Sequence, residues 1–262
     1  MRGSLVVVGT GIRALTQITR EARAAIENAA RVFYGVGDPF TEQWIRSVQP
    51  EAESLDTLYR DGQPRRVTYR QMVDRILAAV RSGARVCVCL EGHPGVLVHA
   101  SHAAIGAARA EGFEAHMLPG VSTLDSLFSD LGVDPAERGL QTFDATDFLL
   151  CERRIDNTTP LVLWQVDCLG DPAFRTDGYS RGHLPLLVEA LANVYGQDHE
   201  IYLYQAAVLP VAKTIIERAT VATLAESTLR GFTMYVPASA DRAPDPEAMR
   251  RLGMVGGTPW QT

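Results

Sequence analysis

Two phenols and four guanidiniums crowd the stretch LDTLYRDGQPRRVTYRQM, residues 55–72. Tyr59 and Tyr69 bracket a turn marked by Gly62 and Pro64, and Arg65 and Arg66 lead into a helical pattern running from Thr68 to Gly83. A free tyrosine releases its proton near pH ~10. A fixed guanidinium nearby favours the ionised phenol. Such a group could take a proton that is hard to remove. A solvated, polar helix start accounts for the same residues more simply, and read from these residues alone both possibilities stand.

Three further loops carry the same double reading. VVVGTGI places Gly9 and Gly11 directly after an apolar run, where glycine permits close backbone approach; it lacks the third glycine of a dinucleotide fingerprint, so a tight turn explains it as well. LEGHPGVLV sets His93, Pro94, Gly95 and Val96 between a strand pattern and a helix pattern, leaving backbone groups open to a ligand. LPGVST repeats the arrangement, with Ser122 as the cap of the next helix and Thr123 beside it. Gln165, inside the apolar run VLWQVD, is expected to be a buried amide that must find partners in the protein or in a ligand.

The elements that must position these loops alternate through the first half. Strands are expected at 4–9, 31–36, 85–91 and 114–119, and helices at 15–30, 39–48, 68–83 and 99–112. Such alternation predicts an α/β fold with a mostly parallel sheet. A ligand would then lie outside the carboxyl ends of the strands. The second half is strand-heavy, with strands expected at 140–150, 160–167, 200–208, 213–219 and 231–237 and helices near 184–195 and 220–229, which predicts a smaller mixed α+β lobe. The stretch 129–139 reads as the connection. The expected organisation is therefore two lobes, 1–130 and 131–262, with a cleft between them.

Composition narrows the function. The 262 residues are 46% hydrophobic and 21% charged with a net charge of −6, which disfavours a non-specific grip on nucleic acid. The apolar run at the N-terminus is too short to span a membrane. Cys87, Cys89, Cys151 and Cys168 form no CxxC or His-spaced zinc pattern, so no metal site is expected. Buried free thiols suit a reducing, cytoplasmic setting.

Taken in order, VVVGTGI, RRVTYRQM, GHPGV, MLPGVS, DLGVDP, LWQVD and YVP resemble the tetrapyrrole-methylase-like superfamily of S-adenosylmethionine methyltransferases, and more closely the borosin-type peptide backbone α-N-methyltransferases. The resemblance covers roughly residues 3–238. It implies a two-lobed tetrapyrrole-methylase-like fold that uses S-adenosylmethionine. Arg65 and Tyr69 would stand at the catalytic centre with Tyr59, and cofactor contacts are implied at Gly9, His93, Gly95, Val96, Ser122, Thr123, Gln165, Ala206 and Thr233. Two positions depart from the pattern: Asp56 and Glu91 stand where relatives often carry tyrosine.

A peptide nitrogen is a poor nucleophile because its lone pair is shared with the carbonyl. Methylating it requires removal or strong displacement of the N–H proton. The resemblance therefore implies Tyr69 as general base assisted by Arg65, with Tyr59 orienting the peptide. It also implies a homodimer, possibly a heterotetramer with two precursors. The tail after YVP, with one short helix near 246–252 and a Gly-Gly/Pro end, is expected to be too short for a substrate-bearing clasp. A separate precursor peptide with a leader, methylated in trans, is the resulting expectation. The alternatives are methylation of a tetrapyrrole or another small molecule, and a non-catalytic protein that only binds cofactor or peptide.

Overall fold

The computed structural model describes residues 3–254. They form two compact units. The first comprises the chain up to Leu131 together with Asp171–Tyr179 and Ala206–Thr214; the second holds Gly132–Gly170, Ser180–Gln205 and the chain from Ile215 onward.

In the first unit, β1 (Ser4–Gly9), β2 (Arg31–Gly35), β3 (Glu53–Ser54), β4 (Arg85–Leu90) and β5 (Glu114–Leu118) form one parallel sheet in the order β3-β2-β4-β1-β5. Between them run α1 (Arg20–Glu27), α2 (Pro39–Val48), α3 (Arg65–Arg81) and α4 (His99–Ala110), with α5 (Thr123–Leu131) after β5. Successive strand side chains point to opposite faces, which splits the core in two. Leu5, Val7, Phe33, Val86 and Val88 meet Met72, Ile76 and Val80 of α3 and the small Ala100, Ala104 and Ala108 of α4. On the other face Val8, Val32, Tyr34, Cys87 and Cys89 meet Ala22, Ile26 and Ile45. The strands read as continuous apolar runs because both faces are covered.

Several boundaries move from the sequence expectation. α1 begins at Arg20 rather than residue 15, since Thr19 caps it by accepting from the Ala22 N–H. Ahead of it, Gln17 Oε1 accepts from the Ile12 and Arg13 amides at 2.8 Å each, and Leu15 sits at φ 61°, so the chain there is held in turns. α3 starts at Arg65, three residues before the expected Thr68. Both Arg65 and Tyr69 therefore lie on the helix, one turn apart.

The second unit contains α6 (Pro135–Arg138), β6 (Gln141–Asp144), α7 (Ala145–Leu150), β7 (Leu161–Trp164), α8 (Leu184–Tyr195), β8 (Glu200–Gln205), β9 (Ile215–Thr220), β10 (Thr233–Val236) and α9 (Pro246–Arg251). The sheet order is β6-β7-β10-β8-β9, with β6 parallel to β7 and the other pairs antiparallel. The two five-stranded sheets bear out the expected architecture. The expected strand over 140–150 is instead a short strand and a helix: Asp144 accepts from the Thr146 and Asp147 amides and opens α7. The expected helix over 220–229 reduces to a single 3₁₀ turn at Leu224–Glu226. Cys151 is exposed, unlike the buried Cys87 and Cys89. The Gly-Gly/Pro end of the tail lies outside the described residues.

Candidate active site

Parallel pairing in register brings the strand ends of the first sheet to one edge: Gly9 lies opposite Leu90, Gly35 opposite Leu90, and Val8 opposite Leu118. There the loops interlock through glycines. A Cβ at Gly9 would come within 2.3 Å of the Gly92 carbonyl oxygen and 2.8 Å of the Gly120 Cα. A Cβ at Gly120 would meet the same oxygen at 2.4 Å. Real side chains do not make such contacts with backbone, so Gly9 and Gly120 are required for three loops to touch. Gly92, at φ 68°, completes the knot by exchanging backbone hydrogen bonds with Gly11.

Next to this knot, on the α3 and α4 face, lies a cavity of about 180 Å³. Apolar residues such as Leu55, Met72, Ile76 and Val98 form its walls, and Asp56, Tyr59, Tyr69, Glu91 and His99 supply its polar groups. Tyr59 and Tyr69 share a hydrogen bond, and the Tyr69 and His99 rings lie 6.0 Å apart. Burial, followed by Tyr69 and Asp56, pushes the Tyr59 phenol far above its ordinary range, with Arg65 opposing. Burial also raises Asp56, aided by the charge of Glu42 and opposed by a hydrogen bond from the Val36 amide. Glu91 is raised by burial and by Asp38 and Asp56, while the Gly37 N–H that it accepts at 3.1 Å works the other way. Asp56 and Glu91 are exposed as whole residues, and both also line the cavity. A larger and more open depression of about 400 Å³, lined by Asp134, Glu137, Arg138, Tyr235 and Asp241 among others, belongs to the second unit; there Arg138 is paired with Asp241 at 2.6 Å.

A segment far away in sequence secures the start of α3. Asp171–Tyr179 runs along Gly62–Arg65, with Gly62 N–H donating to the Phe174 carbonyl and Phe174 N–H to the Gln63 carbonyl, both at 2.9 Å. Pro64 offers α3 no side-chain cap. The Pro172 carbonyl instead accepts the Arg65 N–H at 2.9 Å, satisfying one of the donors that a helix start leaves open. Phe174 packs on Tyr59, ring centroids 4.8 Å apart. The Arg65 guanidinium donates to the Tyr179 hydroxyl at 2.6 Å and the Asp171 carbonyl at 3.3 Å and lies over the Tyr179 ring. Arg66 is exposed. Phe174, Tyr179 and His99 escaped the sequence reading; only the aromatic residues in the unassigned stretch 170–180 hinted at the first two.

The remaining sequence candidates fall into two groups. In the first unit, His93 accepts the Gly95 N–H through Nδ1 at 2.9 Å, and Val96 is exposed on the loop that follows β4. Gly95 is confined by side chains: a Cβ there would meet the Met117 sulfur at 2.9 Å and the His93 ring. Ser122 is buried and caps α5 reciprocally with Asp125, accepting the Asp125 N–H while its own N–H and hydroxyl donate to the Asp125 carboxylate; Thr123 is the first residue of that helix. In the second unit, Gln165 corrects the expectation of a buried amide. β7 ends at Trp164, and Gln165 follows it exposed and left-handed at φ 57°. Thr233 opens β10 opposite Tyr204 of β8, and Met234 pairs with Leu163 of β7. The register thus gathers the ends of β7 and β8, with Gln165 following β7, beside Thr233 at one sheet edge; Ala206, the residue after β8, belongs to the first unit.

The comparisons with known proteins agree with this arrangement. The sequence pattern of the Tetrapyrrole (Corrin/Porphyrin) Methylases matches residues 4–225. A methyltransferase/ribosomally synthesised type III borosin cyclic peptide precursor of Anomoporia bombycina is 42% identical over 97% of this chain and 30% of its own length. The methyltransferase/omphalotin A precursor of Omphalotus olearius is 39% identical over 97% of this chain and 62% of its own length. This chain thus spans less than two thirds of those relatives. Uroporphyrin-III C-methyltransferase of Thermus thermophilus has the same fold, with a TM-score of 0.63 at 18% identity over 91% of this chain and 94% of its own. A structure of that enzyme complexed with S-adenosyl homocysteine gives a TM-score of 0.60 at 16% identity over 90% and 92%. With its parallel sheet, glycine-knotted strand ends and match over residues 4–225, this chain belongs to the tetrapyrrole (corrin/porphyrin) methylase family.

Proposed function

We propose that this chain is an S-adenosylmethionine-dependent methyltransferase that N-methylates backbone amides of a ribosomally made precursor peptide. The observation that carries the reading is the cavity at the strand ends, where Tyr59 and Tyr69 are hydrogen-bonded to each other beside a guanidinium that Tyr179 fixes. Tetrapyrrole methylation, the second reading, fits this cavity less well. Asp56 and Glu91 line it, and a porphyrin-type polycarboxylate would meet like charge there.

The residues present fit the cofactor. The strand-end loops offer backbone groups, Val96 and Leu97 are exposed for apolar contact, and the carboxyls of Asp56 and Glu91 suit a cationic sulfonium. Gly9, His93, Gly95, Val96, Ser122 and Thr123 of the first unit would hold it. When bound, it supplies an electrophilic methyl group. The protein's own residues supply the rest. Tyr69 receives the amide proton, Tyr59 orients the peptide, and Arg65 stabilises negative charge that develops on the amide oxygen. Its planar guanidinium is already oriented, so little reorganisation is required.

Assembly as a homodimer, in a cytoplasmic setting, belongs to the same reading; no described helix is long and apolar enough to cross a membrane. The experiment incubates the protein with S-adenosylmethionine, alone and with a separate candidate precursor, and weighs both chains by mass spectrometry. Methyl increments on the separate peptide's backbone support the reading with the substrate in trans. Increments on the protein's own chain support it in cis, and increments on a tetrapyrrole alone replace it with the second reading.

A further inference from the structure

Peptide N-methylation releases one proton, and the site needs an acceptor that is ionised before the reaction starts. Tyr59 is not such a group: burial and its neighbours keep the phenol protonated. Two adjoining hydroxyls can nevertheless pass a proton on without ionising, each accepting one as it gives up its own, if a base stands at the far end. Asp56 occupies that place. It opens the 3₁₀ turn Asp56–Leu58, which Tyr59 closes by donating its N–H to the Asp56 carbonyl at 3.1 Å. Side chains three residues apart in a 3₁₀ turn eclipse each other. Carboxyl and phenol therefore lie on one side of the turn, and both line the cavity. Glu91 lines it too, anchored by the Gly37 N–H.

Resting on the peptide N-methylation reading, we propose that Asp56, backed by Glu91, is the proton sink of this site and receives the substrate's amide proton through the Tyr69–Tyr59 hydroxyl pair. The amide N–H bond breaks and its proton joins the Tyr69 oxygen. The Tyr69 proton passes to Tyr59, and the Tyr59 proton to an Asp56 carboxylate oxygen. Both phenols end neutral, the carboxylate becomes a carboxylic acid, and the nitrogen keeps the electron pair that bonds to the sulfonium's methyl carbon. The S–C electrons leave with the sulfur, which becomes a neutral thioether. Proton release from Asp56 to solvent resets the site.

The surroundings suit an acceptor. A general base works best when its pKa lies near the operating pH, and burial carries Asp56 upward toward that range. The charged and titratable groups that face it are Glu42 of α2, whose carboxylate takes the Tyr34 hydroxyl, Glu91 after β4, Tyr59 in its own turn, and Tyr69 and His99 across the cavity. The fixed Arg65 cation acts on the phenol instead, lowering Tyr59. Asp56 acts through Tyr59, so it is a positioning and relay residue.

The test uses Asp56→Asn and Asp56→Glu in the whole chain. In the cofactor-free protein, ultraviolet titration of the phenols should show Tyr59 ionising at lower pH in the Asp56→Asn variant, because a neighbouring negative charge is gone. With cofactor and peptide, Asp56→Asn should lower kcat about 100-fold or more at neutral pH and abolish the acid limb of the pH profile. Asp56→Glu, which restores the acceptor, should recover most of that loss. Glu91→Gln should move the acid limb to lower pH. A folded Asp56→Asn variant that keeps the parental rate and acid limb, or leaves the Tyr59 titration unmoved, overturns the sink alone. A parental protein that methylates no peptide overturns the substrate reading, and the sink with it.

Discussion

Both units build a five-stranded sheet around an apolar core, yet the first gathers its two tyrosines, Asp56 and Glu91 at the strand ends of its sheet. Its strands all run the same way, so every carboxyl end reaches the same edge and the loops there meet glycine to glycine. The second sheet is antiparallel at three of its four pairings, which divides its connections between two edges. Leu161, Leu163, Leu187, Leu191 and Met234 give it a core without any exposure, and the edge that carries Gln165 and Thr233 offers polar groups from separate strand ends. Strand direction, more than core quality, decides where reactive side chains accumulate.

The largest expected effect sets Tyr69 against the fold. Tyr69→Phe removes one oxygen from the hydroxyl pair and should lower kcat by about 100-fold or more, with the melting temperature close to the parent's. A parental rate would take Tyr69 out of the proton path. Leu163→Ala is the mirror test. It should cost about 2–5 kcal/mol in denaturant melts by opening a cavity in the second core, while the phenol titration of the first unit stays unchanged. A shifted titration would show that the two regions are not the separate cases described above.

Gly9→Val should cost about 1–3 kcal/mol, or more, because its Cβ collides with backbone of two neighbouring loops. Gly106→Ala, in α4 with nothing within 4 Å of the added carbon, should be neutral or stabilise by up to about 1 kcal/mol. Equal melting behaviour of the two variants would contradict the knot. Tyr179→Phe deletes the hydroxyl that takes the Arg65 guanidinium and should cost about 1.5–3 kcal/mol at most, as for a hydrogen bond to a charged group. The start of α3 should show the change first, as faster amide hydrogen exchange at Arg65.

The smallest effect is a pH dependence. Asp56 and Glu91 bind protons more tightly in the folded chain than in the unfolded one. Their contribution to stability is therefore complete below the ordinary carboxyl range, about pH 4, and is lost as pH rises through their raised values. Asp56→Asn escapes that loss. It should be at least as stable as the parent at neutral pH, and its advantage should disappear in acid. Chemical denaturation across pH reads this directly; an advantage that grows toward acid would reverse the assigned direction.

Much of the first sheet was legible because its signals are local. SLVVVG and RVCVCL are unbroken apolar runs, and Pro39–Val48 opens with Asp38 as its cap and Pro39 as its first residue, so the expected and observed helix coincide. The second unit was harder to read. FDATDFLL carries strand-like residues, but the Asp144 side chain satisfies two amides and starts a helix, a choice in which a hydrogen-bonding cap outweighs β propensity. Gln165 looked buried because its neighbours are apolar. The left-handed turn that ends β7 carries it outward.

By itself the sequence determined the order of chemistry along the first unit: a strand, a glycine loop and a helix, with Arg65 and Tyr69 at the start of α3. Only tertiary structure decided what those groups meet. The strap at 171–179 is more than a hundred residues from Arg65, and no local pattern announces that Tyr179 will fix the guanidinium or that Phe174 will cover Tyr59. Asp56 and Glu91 are 35 positions apart in the chain, and each alone reads as a solvated carboxylate. Their shift toward the protonated form exists only because β3, β2 and β4 lie side by side and bring both into one cavity. There burial raises both, Glu42 adds to Asp56, and Asp38 and Asp56 add to Glu91.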